Sequence, residues 1–333
     1  MSEIAGASGK EHSQVSHRRL ELHRAVPLET PLVVYVEPSG YCNLKCGFCP
    51  VGLEGHRLKK DLMPYELFAR MVDDLAAFPS KIKLLRICGN GEPLVNKDIC
   101  RMLRYAREKG VAERIEMLSN GLLLGDALIG ELPKHLDRFI ISIEGLSVDD
   151  YLRVCSTRVD FGAFREQLNS LYRARGTCVI HLKIHHEAIT CEADAESFRA
   201  FVRGCCDEYY IEKLVPMWPE LDSELFAREF RWEETEVKPR QICAQIFKGV
   251  QVQADGEVVP CCVDWKRVNL LGNLNRQSLA EIWRGEKLRR LQMQHLSGNK
   301  SSLQACQSCA MNDYCEYDNL DEYARECLSR LES

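Results

Sequence analysis

Three cysteines, Cys42, Cys46 and Cys49, stand in the stretch Gly40-Tyr41-Cys42-Asn43-Leu44-Lys45-Cys46-Gly47-Phe48-Cys49-Pro50, which follows the apolar run Pro31 to Val36. A strand that empties into such a loop brings three thiolates together, and three thiolates hold a metal centre while leaving one coordination position open. Structural zinc sites close with four ligands, whereas iron–sulfur clusters are held by cysteines at short spacings like these. A [4Fe–4S] cluster on three cysteines keeps one iron available to a small molecule. A zinc knuckle borrowing a distant fourth ligand is the other reading of the loop alone.

A second group lies beyond Gln241: Cys243, Cys261, Cys262, Cys306, Cys309, Cys315 and Cys327. Val250 to Gln253 and Val258-Val259 flank Asp255-Gly256, a two-residue hairpin signal that would bring Cys243 towards Cys261. Two hairpin cysteines and the pair Cys306-x2-Cys309 suit zinc or a second iron–sulfur cluster equally well. His181, His185 and His186 do not make a metal site, because neighbours on a strand point to opposite faces; one inward imidazole would suit substrate contact.

The elements that must position these groups alternate along the chain. Met63 to Phe78 has helical spacing, Lys81 to Cys88 reads as a strand, and it runs into Gly89-Asn90-Gly91-Glu92-Pro93. Helix Ile99 to Lys109 stops at Gly110, and strand Arg114 to Leu118 leads to Ser119-Asn120-Gly121. Helix Asp126 to Leu132, strand Arg138 to Ile143, helix Phe164 to Arg175 and strand Cys178 to His186 follow, with a last strand expected at Glu212 to Met217. Strands and helices alternating from Leu32 to His186 predict parallel βα units of an α/β fold rather than a sandwich. Small polar residues at successive strand ends are where an α/β barrel builds its site. A helix is expected at Leu279 to Gln292.

The spacing Cys-x3-Cys-x2-Cys, with an aromatic at Phe48, resembles the signature loop of the radical S-adenosylmethionine (SAM) enzymes. That resemblance implies a partial (β/α)6 barrel in which Cys42, Cys46 and Cys49 hold a [4Fe–4S] cluster, its free iron chelating SAM, with the Phe48 backbone near the adenine. Gly89-Asn90-Gly91-Glu92-Pro93 resembles the family's Gly-Gly-Glu-Pro motif, with Asn90 in place of a glycine; Glu92 would contact the SAM amino group. Ser119, Asn120, Ser142 and Glu144 would line the SAM pocket by the same resemblance. The C-terminal cysteines, with Leu271 to Leu274 and Ser278 to Trp283, resemble the auxiliary-cluster modules called SPASM and its shortened twitch form. Full SPASM modules carry Cys-x2-Cys-x5-Cys-x3-Cys; here Cys306, Cys309 and Cys315 keep the first part, and Asn319 occupies the next position. The implied complement is one auxiliary [4Fe–4S] cluster on Cys243, Cys261, Cys306 and Cys309, with Cys315 and Cys327 as replacement ligands. The expected organisation is a flexible arm at 1–28, the barrel at 29–218, a linker or lid at 219–240 and a small cysteine-rich SPASM/twitch module at 241–333.

Hydrogen abstraction from substrate leads to dehydrogenation, crosslinking or epimerisation. Cys262 follows the second hairpin ligand, where related dehydrogenases can carry an acid or base, and a thiol there can return a hydrogen atom; this favours redox-neutral epimerisation, with Cys191 as the next candidate donor. The substrate class implied is a small polyol such as an aminocyclitol or aminoglycoside, a peptide being the other candidate, and a flavodoxin or ferredoxin would supply electrons. A non-catalytic zinc or iron–sulfur scaffold is the reading from a different class. The net charge of −5 provides no footprint for nucleic acid, and no apolar run approaches the roughly 18 residues of a membrane span. With no apolar signal segment before Val26, the 17 cysteines point to a reducing, cytoplasmic setting.

Overall fold

The computed structural model describes residues 10–11, 20–214, 240–314 and 318–332. Its centre is a sheet of ten strands in the order β1-β7-β6-β5-β4-β3-β2-β8-β9-β10. Six successive parallel strands form the partial barrel: β2 (Val33–Val36), β3 (Ile82–Ile87), β4 (Ala112–Ser119), β5 (Arg138–Ile143), β6 (Val179–His185) and β7 (Glu208–Glu212). The crossovers are helical, as parallel neighbours require. They include α3 (Tyr65–Ala76), α4 (Ile99–Lys109), α5 (Asp126–Glu131), α6 (Val148–Cys155), α7 (Phe161–Ala174) and α8 (Glu192–Val202). A short α2 (Pro50–Glu54) starts at the proline that closes the cysteine loop.

Each strand has one apolar and one polar side, which follows from its side-chain period of two. Leu85, Ile87, Ile115, Met117, Phe139, Ile141, Ile180 and Leu182 are fully buried and share one core with Leu67, Phe68 and Met71 of α3 and Leu168 of α7. The alternate residues Arg86, Glu116, Arg138, Ser142, Lys183 and Glu212 therefore face the barrel interior.

The sheet continues past the barrel. Residues Gly249–Val252 form β8, which pairs parallel with β2 in the register Val33 with Gly249 and Tyr35 with Gln251. The hairpin partner β9 (Glu257–Val259) and then β10 (Gly272–Asn273) extend the sheet antiparallel. The Asp255-Gly256 turn has Gly256 at φ 85, the left-handed region that the hairpin signal required. Around this edge lie α9 (Gln245–Lys248), α10 (Leu279–Trp283), α11 (Glu286–Leu296), α12 (Met311–Tyr314) and α13 (Ala324–Glu332). A second core joins Ile242, Ile246 and Phe247 to Leu291, Leu296, Leu303, Cys327 and Leu331.

Several elements differ from expectation. The last barrel strand is Glu208–Glu212 rather than 212–217, because its inward Glu208 and Glu212 break the apolar run that a strand reading looks for; residues 215–217 lie outside the described residues. The helix expected at 279–292 is two helices, parted at Arg284 and Gly285. Within the expected arm, α1 (Leu22–Ala25) buries Leu22 and Val26 in the second core, and β1 (Lys10–Glu11) pairs with Glu208 and Tyr209 of β7. The expected linker or lid lies outside the described residues apart from Arg240. Among the described residues no helix is long and apolar enough to cross a membrane.

Candidate active site

The cysteine loop lies at the C-terminal end of β2, and α6 fastens it from behind. Lys45 N–H donates to the Cys155 carbonyl at 3.2 Å and Gly47 N–H to the Val154 carbonyl at 3.0 Å, so the last turn of the helix grips the middle of the loop. Cys46 is buried and its Sγ lies 3.4 Å from Cys155 Sγ; Cys42 and Cys49 are half-buried. Burial pushes the Cys42 thiol up to about 11 and the Cys49 thiol up to about 12, with Cys42 also acting on Cys49. Cys46 is raised further, by its bond to Cys155 and by burial, and Cys49 is among its charged neighbours. Three thiolates held this close in a dry loop repel one another, and bound iron would offset that repulsion and displace the protons. The soft all-sulfur donor set fits an iron–sulfur cluster. Among the described residues no three His, Cys, Asp or Glu side chains converge on the position of a single metal ion.

The Gly89–Pro93 segment packs directly onto this loop. A Cβ on Gly91 would stand 2.1 Å from the Ser39 carbonyl oxygen and 2.6 Å from that of Tyr41, so only glycine permits the approach. On Gly89 it would meet Glu37 Cγ at 2.5 Å. The next residue, Glu92, donates its N–H to the Tyr41 carbonyl at 2.7 Å, and Pro93 opens a short 3-10 turn. The buried Glu92 carboxylate accepts from Ser119 Oγ at 2.6 Å, Asn120 N–H at 2.8 Å and Leu94 N–H at 3.0 Å. Burial raises its pKa against these three donors. Asn120 also reaches the cysteine loop, its Nδ2 donating to Asn43 Oδ1 at 2.8 Å and lying 3.9 Å from Cys42 Sγ. Glu92, Ser119, Asn120 and the loop thus form one network.

Further round the barrel, Ser142 pairs in register with Lys183, and Glu144 follows β5. Burial lifts Glu144 to about 7, against Lys183, which lowers it, and with Glu212, which raises it. His185 Nε2 lies 3.2 Å from the Glu144 carbonyl oxygen and 3.6 Å from its Oε2, and the ring meets Phe48 edge-on at 5.0 Å. His186 turns away into a 3-10 turn, where its Nδ1 accepts from Leu214 N–H. The interior charges are paired between strands: Arg86 with Glu116 at 2.6 Å, Arg138 with Glu208 at 2.9 Å, and Lys183 with Glu212. Four buried polar atoms on this face have no partner among the described residues: Arg86 Nε, His185 Nδ1, Gln251 Oε1 and Gln253 Oε1. Orphaned buried groups are costly, and a bound molecule would satisfy them.

At the sheet's other end, Cys243, Cys261, Cys306 and Cys309 act on one another electrostatically, burial raising the first to about 11 and Cys306 to about 12. Cys262 is exposed, and its thiol acts on Cys261 and also on Tyr35 and Cys88, the last two on the interior face. Cys191 is exposed as the N-cap residue of α8. Cys327 is buried in the second core. Cys315 lies outside the described residues.

Sequence reasoning missed Cys155 as a neighbour of the loop, the paired charges of the interior, and His295, whose Nδ1 accepts from Cys243 N–H at 3.4 Å. The interior residues could have been found, since polar residues alternate with apolar ones along β4, β5 and β6. Cys155 and His295 carry no such signal, because helix packing alone brings them to the cysteines.

A parallel α/β barrel with a three-cysteine loop and a glycine-rich carboxylate network at its C-terminal rim defines an iron–sulfur enzyme of the SAM-cleaving type. The radical SAM superfamily pattern matches residues 36–191 and an iron–sulfur cluster-binding SPASM domain matches residues 243–310, so the chain carries a radical SAM domain followed by a SPASM domain. SAM and [4Fe–4S] clusters are accordingly its cofactors. The chain is 25% identical to the tungsten-containing aldehyde ferredoxin oxidoreductase cofactor-modifying protein of Pyrococcus furiosus, over 85% of this chain and 88% of that protein. It is 34% identical to the Fe-coproporphyrin III synthase of Methanosarcina barkeri over 36% of this chain and 27% of that protein. In fold it resembles Streptococcus suis SuiB bound to S-adenosylmethionine (TM-score 0.62, 17% identity, 89% of this chain and 74% of that one). It also resembles BtrN in complex with AdoMet and 2-DOIA (TM-score 0.55, 17% identity, 86% and 97%).

Proposed function

We propose that this radical SAM enzyme acts on a small polyol of aminocyclitol or aminoglycoside type and inverts one carbon, with the Cys262 thiol as hydrogen donor. The observation that carries the reading is the place of Cys262, an exposed thiol beside Cys261 that also reaches Tyr35 and Cys88 on the barrel's interior face, whereas Cys261 is in addition coupled to Cys243. A polar but internally neutralised interior with unpartnered amide oxygens suits a substrate rich in hydroxyl or amino donors. The division into arm, barrel, linker and module at 1–28, 29–218, 219–240 and 241–333, and a cytoplasmic setting, belong to the same proposal.

In this reading Cys42, Cys46 and Cys49 hold the SAM-binding cluster, and Cys243, Cys261, Cys306 and Cys309 the auxiliary one. Phe48, Gly89, Gly91, Glu92, Pro93, Ser119, Asn120, Ser142 and Glu144 line the SAM pocket. When bound, the cluster and SAM supply a 5′-deoxyadenosyl radical that takes hydrogen from the substrate. The residues of the chain do the rest. Gln251, Gln253 and Arg86 orient the hydroxyl groups, and the Cys262 S–H bond breaks as its hydrogen joins the substrate carbon on the opposite face. The resulting thiyl radical regains one electron from a flavodoxin- or ferredoxin-class donor and one proton from solvent.

Dehydrogenation is the second reading, favoured by Glu144. A buried carboxyl lifted to about 7 is matched to removing a proton near neutral pH. The two readings separate by mass, with aminocyclitols and aminoglycosides first screened for 5′-deoxyadenosine formation. In deuterated water the epimerised product should carry one solvent deuterium, and Cys262→Ala should form 5′-deoxyadenosine without accumulating that product. A product two mass units lighter than substrate, made equally well by Cys262→Ala, would establish dehydrogenation instead.

A further inference from the structure

We propose that Cys155 is a positioning residue for the SAM-binding cluster: its S–H donates to Cys46 Sγ and raises the cluster's reduction potential. This rests on the reading of Cys42, Cys46 and Cys49 as ligands, and it concerns a cysteine outside the ligand spacing. The two sulfurs stand 3.4 Å apart, within sulfur hydrogen-bonding distance, and Cys155 is fully buried.

The contact is built into the fold. Cys155 is the last residue of α6, which ends at Ser156 in the left-handed conformation with φ 53, and Ser156 N–H caps the Leu152 and Tyr151 carbonyls. The carbonyls of Val154 and Cys155 receive the loop's own N–H groups at 3.0 and 3.2 Å, so helix end and loop move as one body. The three loop sulfurs also differ in what faces them. Cys42 Sγ accepts Leu44 N–H at 3.4 Å, and Cys49 is hydrogen-bonded by the Val51 backbone. For Cys46 the neighbour is a side chain, so the sequence can tune this sulfur alone without altering the backbone.

The direction of the bond follows from chemistry. A cysteine that ligates iron has lost its proton, so only Cys155 can donate once the cluster is in place. One-electron reduction adds negative charge that is shared by the cluster and its ligand sulfurs, and a donor to such a sulfur stabilises the reduced state more than the oxidised one. A fourth thiol at the open iron is a different arrangement. Cys155 touches a ligand sulfur from the core side of the loop, among the apolar residues of the main core.

The test uses the reconstituted holoenzyme as wild type, Cys155→Ala and Cys155→Ser. The SAM-responsive electron paramagnetic resonance signal identifies the cluster with the open iron, and its midpoint is read by potentiometric titration. At the wild-type midpoint, Cys155→Ala should show about a tenfold lower reduced-to-oxidised ratio, a negative shift of ~59 mV for one electron. Cys155→Ser should fall nearer to wild type. In wild type reconstituted in deuterated water, electron–nuclear double resonance should detect an exchangeable deuteron at this cluster that Cys155→Ala lacks. An unshifted midpoint in Cys155→Ala overturns the proposal. Absence of the deuteron in wild type also overturns it, and this measurement decides the matter if the alanine variant fails to hold iron. Loss of the underlying ligand reading looks different, since wild type itself would then show no SAM-responsive cluster.

Discussion

His185 shows how one residue can be held ready by burial. It is 3% exposed; its Nε2–H points at the Glu144 carbonyl, and its Nδ1 has no partner among the described residues. Burial drives its pKa down to about 4, helped by the neighbouring His186 and by Lys183, while the backbone of Glu144 and the carboxylate of Glu212 pull the other way. The ring is therefore neutral at pH 7, with a lone pair on Nδ1 free to accept from a bound group. Because the folded value lies below the unfolded 6.5, the unfolded chain takes up the proton first. The stability contribution is complete above pH 6.5 and is lost as pH falls towards 4. Between pH 7 and pH 4.5 this amounts to about 2–3 kcal/mol. His185→Gln should remove that part of the pH dependence, read as the wild-type-minus-variant difference in unfolding free energy. An unchanged difference across the range would show that His185 is not the group that titrates.

At the scale of elements, the joint between barrel and C-terminal hairpin is the contact of β8 with β2. Leu32 N–H donates to the Lys248 carbonyl at 2.7 Å and Glu37 N–H to the Val252 carbonyl at 2.9 Å, and between them a Cβ on Gly249 would lie 1.9 Å from the Val33 carbonyl oxygen. Gly249 is fully extended, so the constraint is space and not backbone strain. Gly249→Ala must push the strands apart, at a cost of about 1–3 kcal/mol. The expected result is a lower Tm and earlier amide exchange at Val34 and Val250; unchanged protection would mean that the strands accommodate the methyl group. The βα units from β2 to β6 were legible in the sequence because apolar runs, helical spacing and glycine stops agreed there. The strand β7 was displaced because its inward glutamates interrupt the apolar pattern. The helix α8 gave no usual start signal, since its N-cap residue is Cys191, with Asp194 completing the capping box. The helix α6 has a normal Ser147 cap but spans only Val148–Cys155, too short for periodicity to reveal it. The cysteine loop and Glu92 network were readable from local motifs, whereas Cys155, His295 and the charge pairs are brought in by tertiary packing.

Across the whole molecule, one sheet runs through both cysteine groups, but their supports differ. The three-cysteine loop rests on the main core through Leu44 and Cys46, while the segments carrying Cys243 and Cys306 rest on the second core through Ile242, Ala244 and Leu303. Iron at one group should therefore survive loss of the other. On the proposed ligand sets, reconstituted protein should hold about eight irons in two [4Fe–4S] clusters. Replacing Cys42, Cys46 and Cys49 together with alanine should reduce this to about four and abolish 5′-deoxyadenosine formation. Replacing Cys306 and Cys309 should also leave about four, but with the SAM-responsive signal intact. Iron and sulfide analysis with single-turnover SAM cleavage decides the outcome. About twelve irons in wild type would bring Cys315 and Cys327 into a further cluster, and 5′-deoxyadenosine formation by the triple variant would remove the three-cysteine loop from the chemistry. Loss of all iron from the triple variant would show that the continuous sheet couples the two sites, despite their separate cores.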